Sequence, residues 1–291
     1  MPDLILGMIE NANKKYVEPF LNSLRASGYK DDIVLFGNNV SNDAKEFLVY
    51  HKVKFIRYRA IGCKRKDLAI ELFNWLLKQY GKLFCWNTFP KREAIIKLLW
   101  GCKLSRYYLY ADFLHNSPVK YDKILLCDVR DTVFQRYPFP EELKSSLYFF
   151  EEYPFKISQR PFNYNCVRAI FGKDALDQLG DKTIICSGII LGTLNGIKLF
   201  LSSMKSVRFQ YPFINGDQAA VNYLVYNNLL VDVKLVPFGE GQVMHIGTAP
   251  REKIHITQDG EVLCNNGNVC PIVHQYDRYA DIQANFLKRY S

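Results

Sequence analysis

The stretch that decides the fold is Tyr121-Asp-Lys-Ile-Leu-Leu-Cys-Asp-Val-Arg-Asp131. Its apolar run, Ile124-Leu125-Leu126-Cys127, leads directly into two acids, Asp128 and Asp131, with Arg130 between them. A short apolar run behind a polar start reads as a buried strand. Acids at the C-terminal end of such a strand sit where open α/β sheets bind their ligands. Two carboxylates placed there suit a hard divalent cation, and the usual client of that cation carries phosphate. A phosphorylated, nucleotide-linked substrate is the expectation.

On the N-terminal side of this strand the chain alternates. Residues 4–9 read as a first strand with Gly7 inside it, and Asn11-Ala-Asn13 as a turn. Residues 16–26 read as a helix with Phe20, Leu21 and Leu24 on one face. A strand over 32–37, a helix over 43–50 and a strand over 53–58 follow. Strand and helix alternating at this spacing predict a parallel sheet. Leu68, Leu72 and Leu76 support a helix over 67–80, and a long helical pattern over 92–115, interrupted at Gly101, leads into the acidic strand.

On the C-terminal side, Pro138-Phe-Pro140 closes the loop after the acids. Residues 147–153 read as a strand ending in Glu151-Glu152, and 182–193 as a strand broken by Ser187-Gly188. Helices are expected over 197–204 and 217–226, the second behind Asn215-Gly216, and a strand over 231–237. From Gly239 onward short strands and turns are expected, with Asp259-Gly260 and Asn266-Gly267 as hairpin signals. No repeat, linker or low-complexity segment interrupts the chain, so one continuous α/β domain over residues 1–291 is expected.

Composition is that of an ordinary globular protein: 48% hydrophobic and 23% charged over 291 residues, enough for a sizeable core. The formal net charge of +9 favours anionic partners such as nucleotide phosphates or an acidic membrane surface. The densest basic clusters are Lys64-Arg65-Lys66 and Lys91-Arg92, and they read first as solvated surface. No nucleic-acid-binding module occurs, so no nucleic-acid partner is expected; peripheral contact with a membrane is compatible with the charge. Among eight cysteines no CxxC pair occurs, which argues against a zinc site. Cys127 and Cys186 read as small core residues, while Cys264 and Cys270 flank a hairpin signal across which they could meet. With no leader-like start and no apolar run of membrane-spanning length, a soluble cytoplasmic protein is the expectation.

Several short motifs then fall in a telling order: Arg106-Tyr-Tyr108 on the long helix, Asp128-x-x-Asp131 at the strand end, Ser187-Gly-Ile-Ile190, Asp217-Gln218 at a helix start, and His274 near the C-terminus. This order resembles the GT-A-fold nucleotide-sugar glycosyltransferases, particularly the glycogenin-like group, over most of the chain. The resemblance implies a Rossmann-related, mainly parallel sheet flanked by helices, with a small C-terminal β-hairpin region. It further implies a nucleotide-binding half over 1–135 and an acceptor and sugar half over 136–291. The donor would be a nucleoside-diphosphate sugar, with a lean towards UDP. The acceptor would be a glycan or another hydroxyl-bearing glycoconjugate, and the cofactor Mn²⁺ or Mg²⁺.

Carried over residue by residue, Asp128 matches the first acid, near ribose and metal. Asp131 would be the second metal-binding acid, although the family usually separates its acids by one residue and this chain by two. Either Asp131 reaches the metal through a turn, or Arg130 takes the second position and offsets diphosphate charge itself. His274 would complete the metal shell as a neutral imidazole ligand. The other four histidines, His245 among them, have no supporting context in the sequence. Arg106 would contact donor phosphate or orient Asp128, unless it lies on a solvated helix face. Ser187-Gly188 would let the donor approach the backbone, or mark a bulge. Asp217 and Gln218 would lie beside the transferred sugar, unless Asp217 is only a helix N-cap. A base for an inverting reaction could come from Asp217, Glu151 or Glu152; the Asp217-Gln218 pair leans towards retention. The rivals are a haloacid-dehalogenase-type phosphatase, whose second acid should stand at position 130, and a protein that binds sugar nucleotides or glycans without turnover.

Overall fold

The computed structural model describes residues 1–58, 102–210 and 216–291. The expected helix over 67–80, the first part of that over 92–115, both basic clusters, Cys63, Cys85 and Asn215 lie outside the described residues. In chain order the elements are β1 (Leu4–Glu10), α1 (Lys14–Ala26), β2 (Asp32–Asn38), α2 (Asn42–Tyr50), β3 (Lys54–Arg57) and α3 (Cys102–Asn116). β4 (Lys123–Asp128), β5 (Thr132–Phe134), β6 (Leu147–Lys156), α4 (Pro161–Leu179), β7 (Thr183–Thr193) and α5 (Leu194–Gln210) follow. The chain ends through α6 (Asp217–Tyr226), β8 (Val233–Val236), β9 (Val243–His245), β10 (Ile272–His274) and α7 (Ala280–Tyr290).

The strands order as β3–β2–β1–β4–β7–β6–β9–β10–β5, with β8 also on β6. Pairing is parallel from β3 to β4 and again among β8, β6, β9 and β10; it is antiparallel at β4–β7, β7–β6 and β10–β5. The result is an α/β architecture with a mixed, mostly parallel central sheet flanked by helices, compatible with a Rossmann-like fold. Parallel strands covered on both faces need apolar residues at every position. β1 meets that need: Leu4, Leu6 and Met8 pack with Tyr107 and Tyr110 of α3 and Phe200 of α5, while Ile5 and Ile9 pack with Val17, Phe20 and Leu21 of α1.

Four elements differ from the sequence expectation. The segment after the acids is not simply a loop closed by Pro138-Phe-Pro140, because β5 intervenes and pairs with β10. β7 is not broken at Ser187-Gly188; it runs on, and only its pairing lapses there. Helix α4 was not expected: its N-terminal half is rich in Asn and it kinks at Gly172 (φ 86°), so no single helical period runs through it. Helix α7 was not expected either, although Ile282, Phe286 and Tyr290 recur at helical spacing and are its buried face. The two hairpin signals fall between the antiparallel bridges Ile256–Val262 and Leu263–Val269, with Gly260 and Gly267 at positive φ. Cys264 and Cys270 do approach one another there, as buried free thiols. No helix among the described residues is long and apolar enough to cross a membrane.

Candidate functional site

The C-terminal ends of β1 and β4 open onto a cleft of about 350 Å³. Arg106, Asp128, Arg130 and Asp131 line it from the first half of the chain, and Ser187, Gly188, Asp217, Gln218 and His274 from the second. The residues expected to bind donor, metal or sugar therefore share one cleft, while the candidate bases Glu151 and Glu152 do not line it.

Asp128 stands where the apolar run of β4 ends. Asp131 is not on that strand; it stands one residue before β5. Between them Val129 is buried against β1, where Gly7 leaves room: a Cβ there would come within 2.5 Å of Val129 Cγ2. β5 then pairs with β10, setting Thr132 opposite His274, and the Gln275 amide donates to the Asp131 carbonyl at 2.7 Å. The two-residue spacing thus places the acids on either side of a turn, and the β5–β10 pairing delivers His274 to both. His274 Nε2 lies 3.5 Å from Asp131 Oδ1 and 3.8 Å from Asp128 Oδ2. Arg130 does not take the second position: its guanidinium lies 2.8 Å from Asp277, half exposed at the rim.

Gly188 forms the opposite wall. β7 pairs with β6 through Ile185 and again from Ile190, and with β4 from Ile189, so residues 186–188 bulge at the cleft. A Cβ on Gly188 would overlap His274 Cε1 and lie 2.8 Å from both His274 Nε2 and Asp128 Oδ2. Only a glycine lets backbone approach the acids and the imidazole this closely.

Arg106 is buried, not on a solvated face. Its fork donates to Asp128 Oδ1 and to Asp217 Oδ2, each at 2.5 Å, so α3 ties β4 to α6. Asp217 is not the cap of α6: Gly216 is, and Asp217 is the first helical residue, its Oδ1 accepting from the Gln218 amide at 3.0 Å. Gln218 Nε2 donates to Asn163 Oδ1 of α4 at 3.1 Å. Asn163 was missed in the sequence along with its helix. Glu151 accepts from Tyr226 at 3.3 Å, on the far side from the acids, whereas Glu152 is buried beside His274 and Cys186.

Charge is unevenly matched in this cleft. Four carboxylates, of Asp128, Asp131, Asp217 and Glu152, gather around it, and the buried guanidinium of Arg106 pairs with two of them, Asp128 and Asp217. Although 38% of its side chain faces the cleft, enclosure by protein raises the Asp128 carboxyl, with Arg106 and His274 opposing. Burial raises the Glu152 carboxyl too. Burial is the largest single effect on Asp131 and works to raise it, but the facing His274, Arg130 and Arg278 together outweigh it and hold that carboxyl at about 2. In the same way burial lowers His274 while Asp131 and then Asp128 more than offset it, so its net shift is upward.

A divalent cation fits these residues. His274 Nε2 is fully buried and has no hydrogen-bond partner, although it points at two carboxylates. Ligand atoms of Asp128, Asp131 and His274 all lie within 4.8 Å of one another. Neighbouring ligands of an octahedral ion with bonds of about 2.1 Å stand roughly 3 Å apart, so a small contraction closes the set. Two carboxylates and one imidazole are donors that a divalent cation accepts.

His274 belongs to a row of buried polar residues, of which the sequence singles out Glu152 and His274 but not His245 or Thr132. In register across β6, β9, β10 and β5 stand Glu152, His245, His274 and Thr132, all at or below 2% exposure. His245 Nδ1 lies 2.8 Å from His274 Nδ1, and Cys186 Sγ lies 3.7 Å from the same nitrogen. Burial, then His274, pushes His245 well below the usual histidine range. Val243-Met-His245 and Ile272-Val-His274 are two apolar pairs each ending in histidine, and that recurrence was the available signal. No protein-family model matches the chain, and no curated protein matches it.

Proposed function

We propose that the chain is a GT-A-like glycosyltransferase. It moves a sugar from a nucleoside diphosphate, UDP by preference, to a hydroxyl of a glycan or glycoconjugate. The observation that carries this reading is the meeting of Asp128, Asp131 and His274 under Gly188, in a cleft at the C-terminal ends of β1 and β4, where α/β sheets bind nucleotides. These three side chains would hold Mn²⁺ or Mg²⁺, whose chemistry is to neutralise the charge that develops on a leaving diphosphate.

The chain's own groups supply the rest. Arg106 pairs with both Asp128 and Asp217 and so holds the two carboxylates beside one another before a donor enters. The bare backbone at Gly188 admits a sugar ring close to the acids. Arg130 and Arg278, about half exposed at the rim, add positive potential where a diphosphate would enter. Both Asp217 oxygens already accept hydrogen bonds, from Arg106 and from the Gln218 amide. A carboxylate so engaged suits orientation of the transferred sugar better than proton abstraction, and that favours retention of anomeric configuration. Glycosyl transfer places positive charge on the sugar ring, as in glycoside hydrolysis, and the surrounding carboxylates are matched to it.

Thermal shift against nucleoside diphosphates and sugar nucleotides, each with EDTA, Mg²⁺ or Mn²⁺, tests the reading. A ligand at 100 times its dissociation constant stabilises the fold by about 2.7 kcal/mol. The expected result is a nucleotide-selective shift that needs the metal and disappears in Asp131→Asn, with slow donor hydrolysis in the absence of acceptor. Shifts that survive EDTA would remove the metal. Binding with neither transfer nor hydrolysis would leave a sugar-nucleotide-binding protein.

A further inference from the structure

Two imidazoles buried in contact cannot be assigned protons independently. His245 and His274 face each other through their Nδ1 atoms at 2.8 Å, rings nearly perpendicular at 80°, and both are at most 1% exposed. A neutral imidazole carries one N–H and one lone pair. The contact therefore holds a single proton, on one ring or the other. If His245 keeps it, His274 carries its own proton on Nε2, facing Asp131 and Asp128, and that nitrogen cannot bind a cation. If His274 keeps it, Nε2 presents a lone pair to the acids.

We infer that His245 is the positioning residue of this centre: it accepts the Nδ1–H of His274 and so selects the tautomer whose Nε2 lone pair faces Asp128 and Asp131. The inference rests on the proposed cation site. Metal-bound histidines in general donate their second ring N–H to a neighbouring acceptor, which fixes ring orientation. The other atom near His274 Nδ1, Cys186 Sγ at 3.7 Å, is a weak acceptor and further away. The backbone fixes the pairing, since His245 and His274 are direct partners in the parallel β9–β10 register and a one-residue slip would turn either ring to the other face. His245 also has a cost that packing alone does not explain. Its Nε2 is buried with no partner, in a core where such atoms are rare. A residue kept for filling space would be met more cheaply by leucine or phenylalanine, as Phe150 beside it shows.

The test uses the full chain with Mn²⁺ titrated by calorimetry, and Mg²⁺-loaded protein labelled with ¹⁵N-histidine. His245→Leu removes the acceptor and is expected to weaken Mn²⁺ binding about 10–100-fold. His245→Asn places an amide oxygen near the Nδ1 position and is expected to stay within a few-fold of the native protein. In the native protein with Mg²⁺, the ¹⁵N spectrum should show His274 protonated at Nδ1; this measurement needs no variant to fold. Equal Mn²⁺ affinity in His245→Leu, equal losses in the Leu and Asn variants, or an Nε2-protonated His274 with Mg²⁺ bound would each overturn the inference. Failure of the cation site itself reads differently: the native protein and His274→Ala would then be alike in binding no Mn²⁺.

Discussion

At the scale of single residues, the glycine does as much as the acids. Asp128, Asp131 and His274 can approach one another only because nothing projects from position 188. Gly188→Ala is therefore expected to abolish or strongly weaken Mn²⁺ binding. The new methyl group must displace the His274 ring or the Asp128 carboxylate, and overpacking of this kind costs typically about 1–3 kcal/mol. A Mn²⁺ titration beside a denaturant melt separates the two effects, and a variant that binds Mn²⁺ normally would show that the backbone wall is not needed. In the sequence, Ser187-Gly188 was legible as a place where a donor could approach the backbone or as a bulge; the strand pairing does lapse there, and the Asp128 carboxylate and His274 ring crowd Gly188. His245 was legible only through a second apolar pair ending in histidine, because its contact is with a neighbour 29 residues away across a strand pair.

At the scale of elements, β7 needs outside help where its pairing lapses. Asn222 of α6 supplies it: its side chain accepts from the Ile185 amide at 2.9 Å, donates to the Ile185 carbonyl at 2.8 Å, and donates to the Gln218 carbonyl at 2.7 Å. One amide thus closes the ladder just before the bulge and anchors the helix that carries Asp217. Asn222→Leu keeps the branched four-atom skeleton, though with bulkier methyl groups, and orphans both Ile185 groups. Each orphaned buried group costs about 1–3 kcal/mol. Urea melts should show a lowered midpoint with an unchanged slope, and a midpoint equal to that of the native protein would mean that water replaces the amide. The helices that escaped the sequence did so for local reasons. Asn-rich α4, kinked at Gly172, has no sustained period. α7 has one, over three buried positions at the end of a segment otherwise made of turns.

At the scale of the molecule, the C-terminal segment is held to the sheet by contacts between residues far apart in the chain. The Glu261 carboxylate accepts from both Arg136 amino groups at 3.0 and 3.1 Å and lies 3.0 Å from Arg289 of α7. Hydrogen bonds from Arg136 first, then its charge and Arg289, against a little burial, hold this carboxyl below its ordinary 4.5. A lowered folded-state value means that the stabilisation is present above the unfolded value, near 4.5, and is lost as pH falls through the lower folded value. Glu261→Gln should therefore reduce stability at neutral pH and flatten its decline below about pH 4.5. Pairs this exposed contribute under about 1 kcal/mol each, so the change is modest. Melting temperatures of the two proteins from pH 3 to pH 7 should converge at the acid end; parallel curves would remove Glu261 from the acid transition.

The sequence by itself determined the α/β class and the alternation leading to the acidic strand, because apolar period and strand-end acids are local properties; of the cleft it picked out the acids, Arg106, Gly188 and His274, but not Tyr16, Phe162, Gln275 or Arg278, which also line it. Only the tertiary structure decided how Asp131 meets Asp128 across a turn, why Arg130 turns away to Asp277, and which histidine stands behind His274. Those answers come from strand pairing between β5, β9 and β10, and pairing partners so far apart in the chain leave no periodic trace in it.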